Sequence, residues 1–119
     1  MRLAHTMIRV RDLEATLDFY ENFIGLREIR RKKIGHEATL VWISDGGAYS
    51  IELTFNHDQP DYVQGNQFGH LAFKTKDLEA VVKDVESRGW WYRRSRPQSP
   101  SRYIFVKDPD GYDVEIIQE

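Results

Sequence analysis

Apolar and polar residues run through the same order twice along this chain. Leu3 to Val10 and Gly69 to Thr75 alternate with a period of two and predict strands. Behind each comes an Asp-Leu-Glu-Ala step, Asp12 to Ala15 and Asp77 to Ala80. Asp12 and Asp77 fall where a helix start needs a side-chain acceptor, and Glu14 and Glu79 lie in the first turn, where the helix dipole favours negative charge. Leu13, Leu17, Tyr20 and Ile24 then recur at spacings of four, three and four, while Leu78, Val81, Val82 and Val85 form a second stripe. Both stripes predict helices with a face turned to the core. Gly25 and Gly89 stand where a left-handed residue ends a helix without a Cβ penalty.

Three more strands follow each helix. Leu26 to Arg31, Thr39 to Ser44 and Tyr49 to Phe55 complete the first set, with Asp45-Gly46-Gly47 as a hairpin turn. Trp91 to Ser95, Tyr103 to Val106 and Tyr112 to Ile117 complete the second, separated by Pro97 to Pro100 and by Asp108-Pro109-Asp110-Gly111. The fold class is α+β: two βαβββ modules, about 1–56 and 68–119, joined by a polar linker at about 57–67 that contains Pro60 and Gly65. A length of 119 residues suits one compact domain built from both.

Strand alternation assigns the polar residues to faces. Ile51, Leu53 and Phe55 belong to the helix side, so Glu52 and Thr54 point the other way; Tyr112, Val114 and Ile116 likewise set Glu115 opposite the helix. His5, Met7 and Arg9 share one face of the first strand, as His70, Ala72 and Lys74 do in its counterpart 65 positions on. Each module thus carries one imidazole near the start of its first strand and one carboxylate on its last. A lone surface His or Glu is usually only solvated, but a pair repeated at matched positions points to metal ligation. His36 and His57 have no such counterpart and read as surface histidines. Trp42, Trp90 and Trp91 read as core or interface packing.

Composition narrows the chemistry. There is no cysteine, so thiolate ligands and disulfides are excluded, and a metal would be held by imidazole and carboxylate. Such a set suits Ni²⁺, Co²⁺, Zn²⁺, Fe²⁺ or Mn²⁺. A net charge of -2 gives no global attraction to nucleic acid or an acidic membrane, and the basic runs Arg27 to Lys33 and Arg93, Arg94, Arg96 read as solvated faces. No apolar run approaches the length of a membrane helix and no signal peptide pattern follows Met1, so a cytoplasmic protein is expected.

Four stretches carry a family resemblance: Met1 to Val10, Ile51 to Asn56, Phe68-Gly69-His70, and Asp108 to Glu115. Together they resemble bacterial glyoxalase I, lactoylglutathione lyase, of the vicinal oxygen chelate superfamily, over essentially the whole chain. The resemblance implies a cupped mixed sheet, with His5, Glu52, His70 and Glu115 as the ligands of one divalent cation per site. His rather than Gln at the first ligand position, and a short chain without inserted loops, are similar to the class activated by Ni²⁺ or Co²⁺ rather than Zn²⁺. Family members are commonly homodimers, which the open second face of each sheet also favours.

The resemblance further implies a substrate, the hemithioacetal of methylglyoxal and glutathione, isomerised to S-lactoylglutathione through an enediolate. Glu115 is then the base and Glu52 its opposite number, while Arg9 and Asn56 contact the glutathione. This sequence departs from the family in two places. Arg96-Pro97-Gln98-Ser99-Pro100-Ser101-Arg102 replaces a Lys-Gly-rich loop that helps hold glutathione, with Arg102 as a candidate substitute, and Asn66 stands where some relatives carry an Arg. Two other readings of the same fold are a dioxygenase or epimerase, and a metal-free protein that binds an antibiotic or another small molecule.

Overall fold

A computed structural model describes residues 1–58 and 61–119; Gln59 and Pro60, in the middle of the expected linker, lie outside the described residues. The chain divides into two compact units, Met1–Val63 and Gln64–Glu119.

The first unit contains β1 (His5–Arg9), α1 (Leu13–Leu17), a π-helix (Asp18–Ile24), β2 (Arg27–Ile34), β3 (Ala38–Ser44) and β4 (Ser50–Asn56). The second contains β5 (His70–Thr75), α2 (Leu78–Ser87), β6 (Tyr92–Arg94), β7 (Tyr103–Lys107) and β8 (Asp113–Gln118). Each unit has one four-stranded sheet, in the orders β1-β4-β3-β2 and β5-β8-β7-β6. In both, the first and last strands are parallel neighbours and the remaining pairings are antiparallel. The βαβββ reading holds in each half. Among the described residues no helix is long and apolar enough to cross a membrane.

The predicted caps are present. Asp12 accepts the Ala15 backbone N–H at 3.0 Å and Asp77 accepts that of Ala80 at 2.9 Å. Gly25 and Gly89 have φ of 92° and 69°, so each stops its helix in the left-handed region. The first helix nevertheless differs from its expected stripe. After one α-turn it widens, and the Gly25 N–H reaches the Tyr20 carbonyl five residues back. Tyr20 of the expected stripe is buried, together with Thr16 and Phe19, whereas Leu13, Leu17 and Ile24 are only half-buried. The uninterrupted α-periodicity assumed from sequence is therefore corrected.

In the second unit Leu78, Val82 and Val85 are buried as anticipated, and Val81 sits at the margin. Burying such side chains contributes roughly 1.5–3 kcal/mol each. That apolar face, rather than the exposed ion pairs of the same helix, attaches it to Ile104, Val106, Val114 and Ile116 of the sheet, which are themselves buried. The turn before β8 is equally determined: buried Asp108 accepts the N–H groups of Asp110 and Tyr112, each at 2.9 Å, while Gly111 takes φ of 86°. That turn fixes where β8 begins, and with it the position of Glu115.

Candidate metal and substrate site

The strand register explains how His and Glu meet within each unit. Met7 of β1 lies opposite Glu52 of β4, so His5, two residues earlier on the same face, is the diagonal neighbour of that carboxylate. Its Nε2 lies 2.8 Å from Glu52 Oε2. In the second unit Ala72 lies opposite Glu115, and His70 Nε2 lies 3.1 Å from Glu115 Oε2. The histidines are exposed at 41% each while the carboxylates are mostly covered, at 12% and 16%. Each pair therefore presents an imidazole at the surface, backed by an acid.

Register also extends each pair across its sheet. Glu52 pairs with Trp42, which pairs with Arg30; Glu115 pairs with Phe105, which pairs with Arg93. Trp42 stands edge-on to the His5 ring, with centroids 6.4 Å apart and planes at 83°. Phe105 does the same to His70 at 5.1 Å and 87°. The guanidinium of Arg30 lies 4.7 Å from the Trp42 ring centroid, and that of Arg93 lies 4.9 Å from Phe105. The two halves thus share a row: a cation, an aromatic wall, a carboxylate, and an imidazole leaning on both.

This row adds detail to the sequence reading. Arg30 and Arg93 are exposed, as expected of a solvated face, and each also stacks on a ring beside a His–Glu pair. Trp42 is half-buried, on the same face as Glu52. The signal was present as a second repeat interval, since Arg30, Trp42 and Glu52 recur 63 positions later as Arg93, Phe105 and Glu115, while His5 and His70 are 65 apart.

The expected substrate contacts lie in the first unit. Arg9 is exposed at the end of β1, on the His5 side, opposite Thr54. Asn56 ends β4, and its Oδ1 accepts the Tyr62 hydroxyl at 3.0 Å. Tyr62 is held in turn by Arg11, whose Nη2 donates to the Tyr62 carbonyl at 2.7 Å and whose guanidinium sits 5.5 Å from the ring centroid. Arg102 has a different duty from the one the loop comparison proposed. Its Nη2 donates to Glu79 at 2.6 Å, beside a bidentate Arg94–Glu79 pair with both contacts at 2.9 Å. Arg94 is in register with Ile104 and Ile116, so this network belongs to the helix side of the sheet, away from Glu115. A cavity of about 300 Å³ lies there, lined by Leu78, Arg94, Arg96, Arg102 and neighbouring loop residues. The Arg94 hydrogen bond holds the Glu79 carboxyl below the usual range, and the same contact raises Arg94.

His57 is exposed yet engaged at both ring nitrogens. Nε2 lies 2.9 Å from Thr39 Oγ1 and Nδ1 lies 3.0 Å from the His36 carbonyl. It ties the β2–β3 turn to the end of β4.

The donor chemistry of the two pairs fits a borderline divalent cation, with neutral imidazole nitrogen and carboxylate oxygen in each. Within the described residues no group of three or more His, Asp or Glu side chains gathers at one point. Each pair offers two donors, fewer than the four protein or water donors of a typical site for such a cation.

Comparison with known proteins identifies the family. The family model for the Glyoxalase/Bleomycin resistance protein/Dioxygenase superfamily matches residues 2–116. A lactoylglutathione lyase of Neisseria meningitidis is 38% identical over 126 aligned residues, covering 100% of this chain and 91% of that protein. Among solved structures, the trypanothione-dependent glyoxalase I of Leishmania major has a TM-score of 0.87 at 30% identity, covering 100% of this chain and 87% of that one. Glyoxalase I of Zea mays has a TM-score of 0.88 at 27% identity, covering 99% of this chain and 44% of its own. On this likeness across its whole length, the chain belongs to the lactoylglutathione lyase, or glyoxalase I, family of that superfamily.

Proposed function

We propose that this protein is a metal-dependent lactoylglutathione lyase that isomerises the hemithioacetal of methylglyoxal and glutathione to S-lactoylglutathione. One observation carries the reading: the same His–Glu contact, 2.8 and 3.1 Å long, at matched strand positions in both units of a chain 38% identical to a lactoylglutathione lyase.

His5, Glu52, His70 and Glu115 would be the ligands of one divalent cation per site. When bound, the cation supplies positive charge that stabilises the negative charge developing on the two substrate oxygens. Ni²⁺ is the preferred ion, with Co²⁺ next, on the strength of His at position 5. The chain works as a single domain of two modules, about 1–56 and 68–119, and assembles as a homodimer.

The reaction is a proton shift with no external oxidant. Glu115 removes the proton from the carbon bearing sulfur, and the electron pair left behind forms the double bond of an enediolate. A proton is delivered to the neighbouring carbon, the hydroxyl proton passes to the other oxygen, and a thioester carbonyl results. Positioned acid–base transfer of this kind contributes about 10²–10⁴ in rate. Glu52, opposite it, serves the second proton transfer or the other substrate enantiomer. Arg9 and the Asn56 amide hold the thiol's polar end, since a guanidinium pairs well with a carboxylate. A dioxygenase site would use two His and one carboxylate; Glu52 is paired to its His as closely as Glu115 is, which favours the four-ligand reading.

The test is to strip the purified protein with chelator, restore Ni²⁺, Co²⁺ or Zn²⁺ separately, and follow conversion of preformed hemithioacetal to thioester. Turnover restored by nickel or cobalt is the expected result. Tight metal binding without turnover would remove the substrate assignment. Light scattering of the eluted protein tests the dimer.

A further inference from the structure

The two His–Glu pairs match in position but not in how their carboxylates are held. Glu52 is engaged at both oxygens: Oε2 faces His5 Nε2, and Oε1 accepts the hydroxyl of Thr54 at 3.2 Å. Thr54 lies two residues on in the same strand, hence on the same face, and is only 7% exposed. The residue two after Glu115 is Ile117, which has no hydroxyl, and among the described residues Glu115 has only its His70 contact.

We propose that Thr54 is a positioning residue that anchors Glu52 as the fixed carboxylate and thereby leaves Glu115 as the one that moves to carry the proton. The inference rests on the functional reading above. Its physical basis is that a carboxylate hydrogen-bonded at each oxygen loses rotational freedom about its terminal torsion, whereas one held at a single oxygen can swing. Groups that orient a metal ligand typically change cation affinity or activity by 10–100-fold when removed. The hydroxyl, not the volume, is what matters, so Val and Ser at position 54 separate the two.

The experiment measures cation affinity of the purified protein by competition with a chromogenic chelator, without substrate, alongside kcat and KM for the hemithioacetal. Thr54→Val is expected to lower Ni²⁺ affinity about tenfold. Thr54→Ser is expected to restore it to within about twofold of the unaltered protein, because the donor returns. The mirror variant Ile117→Thr places a hydroxyl beside Glu115; it should lower kcat while KM holds. Unchanged affinity in Thr54→Val overturns the proposal, and so does equal loss in Thr54→Ser, which would assign the effect to packing. A kcat unchanged in Ile117→Thr overturns the claim that freedom at Glu115 matters. Failure of the unaltered, metal-loaded protein to turn over the hemithioacetal would instead remove the functional reading, while the affinity comparison still judges the anchoring of Glu52.

Discussion

His70 and Glu115 meet at 3.1 Å although 45 residues separate them, because the parallel pairing of β5 with β8 sets them diagonally on one face. The carboxylate is largely covered, and among the described residues its polar partner is the imidazole. Glu115→Gln keeps the shape and removes the base, so turnover should fall by about 10²–10⁴. Glu52→Gln should reduce cation binding more than it alters the proton step. Steady-state kinetics with metal analysis on both variants checks the division.

Chelation should lower thermal stability as well as activity. A cation that binds only the folded protein, present at a hundredfold its dissociation constant, adds about 2.7 kcal/mol. The unfolding midpoint should rise on adding Ni²⁺ to stripped protein, and this gain should shrink in His5→Ala and His70→Ala alike. A midpoint insensitive to the ion would count against all four ligands.

Gly25 ends the π-helix with φ of 92°, and a Cβ built there meets nothing within 4 Å. Gly25→Ala therefore isolates backbone strain from crowding. The left-handed penalty predicts a loss of about 1–2 kcal/mol, read by urea unfolding. A neutral outcome would show that the helix end relaxes.

Glu79 is a pH-sensitive link between α2 and the β6 edge. Its folded carboxyl is lowered, first by the Arg94 hydrogen bond, with Arg102 adding to it. The unfolded value is about 4.3. The contribution is thus fully present above the unfolded value and is lost as pH falls through the lower folded one. An NMR titration should place Glu79 below that unfolded value, and Arg94→Gln should move it back up. Glu79→Gln should flatten the acid limb of the stability curve.

The sequence by itself determined the duplication, the βαβββ order, the N-cap aspartates, the glycine helix ends and the four candidate ligands. These properties are local: alternation, capping and turn chemistry act over a few residues, so their pattern survives in the linear order. It also holds a second offset, 63, that comparing the histidines at 65 leaves unread.

Tertiary structure decided the rest, because cross-strand register and helix widening depend on what packs where. Of the expected stripe only Tyr20 is buried, joined by Thr16 and Phe19, while Leu13, Leu17 and Ile24 stay half-buried along a helix that widens from Asp18. Pairing set Arg30 on Trp42 and Arg93 on Phe105, which no linear pattern of charge distinguishes from a solvated surface. Glu79 drew Arg102 to the helix side, because a nearby carboxylate can capture a guanidinium that the loop sequence alone leaves unassigned. The difference between Glu52 and Glu115 likewise arises only when Thr54 turns its hydroxyl onto one of them.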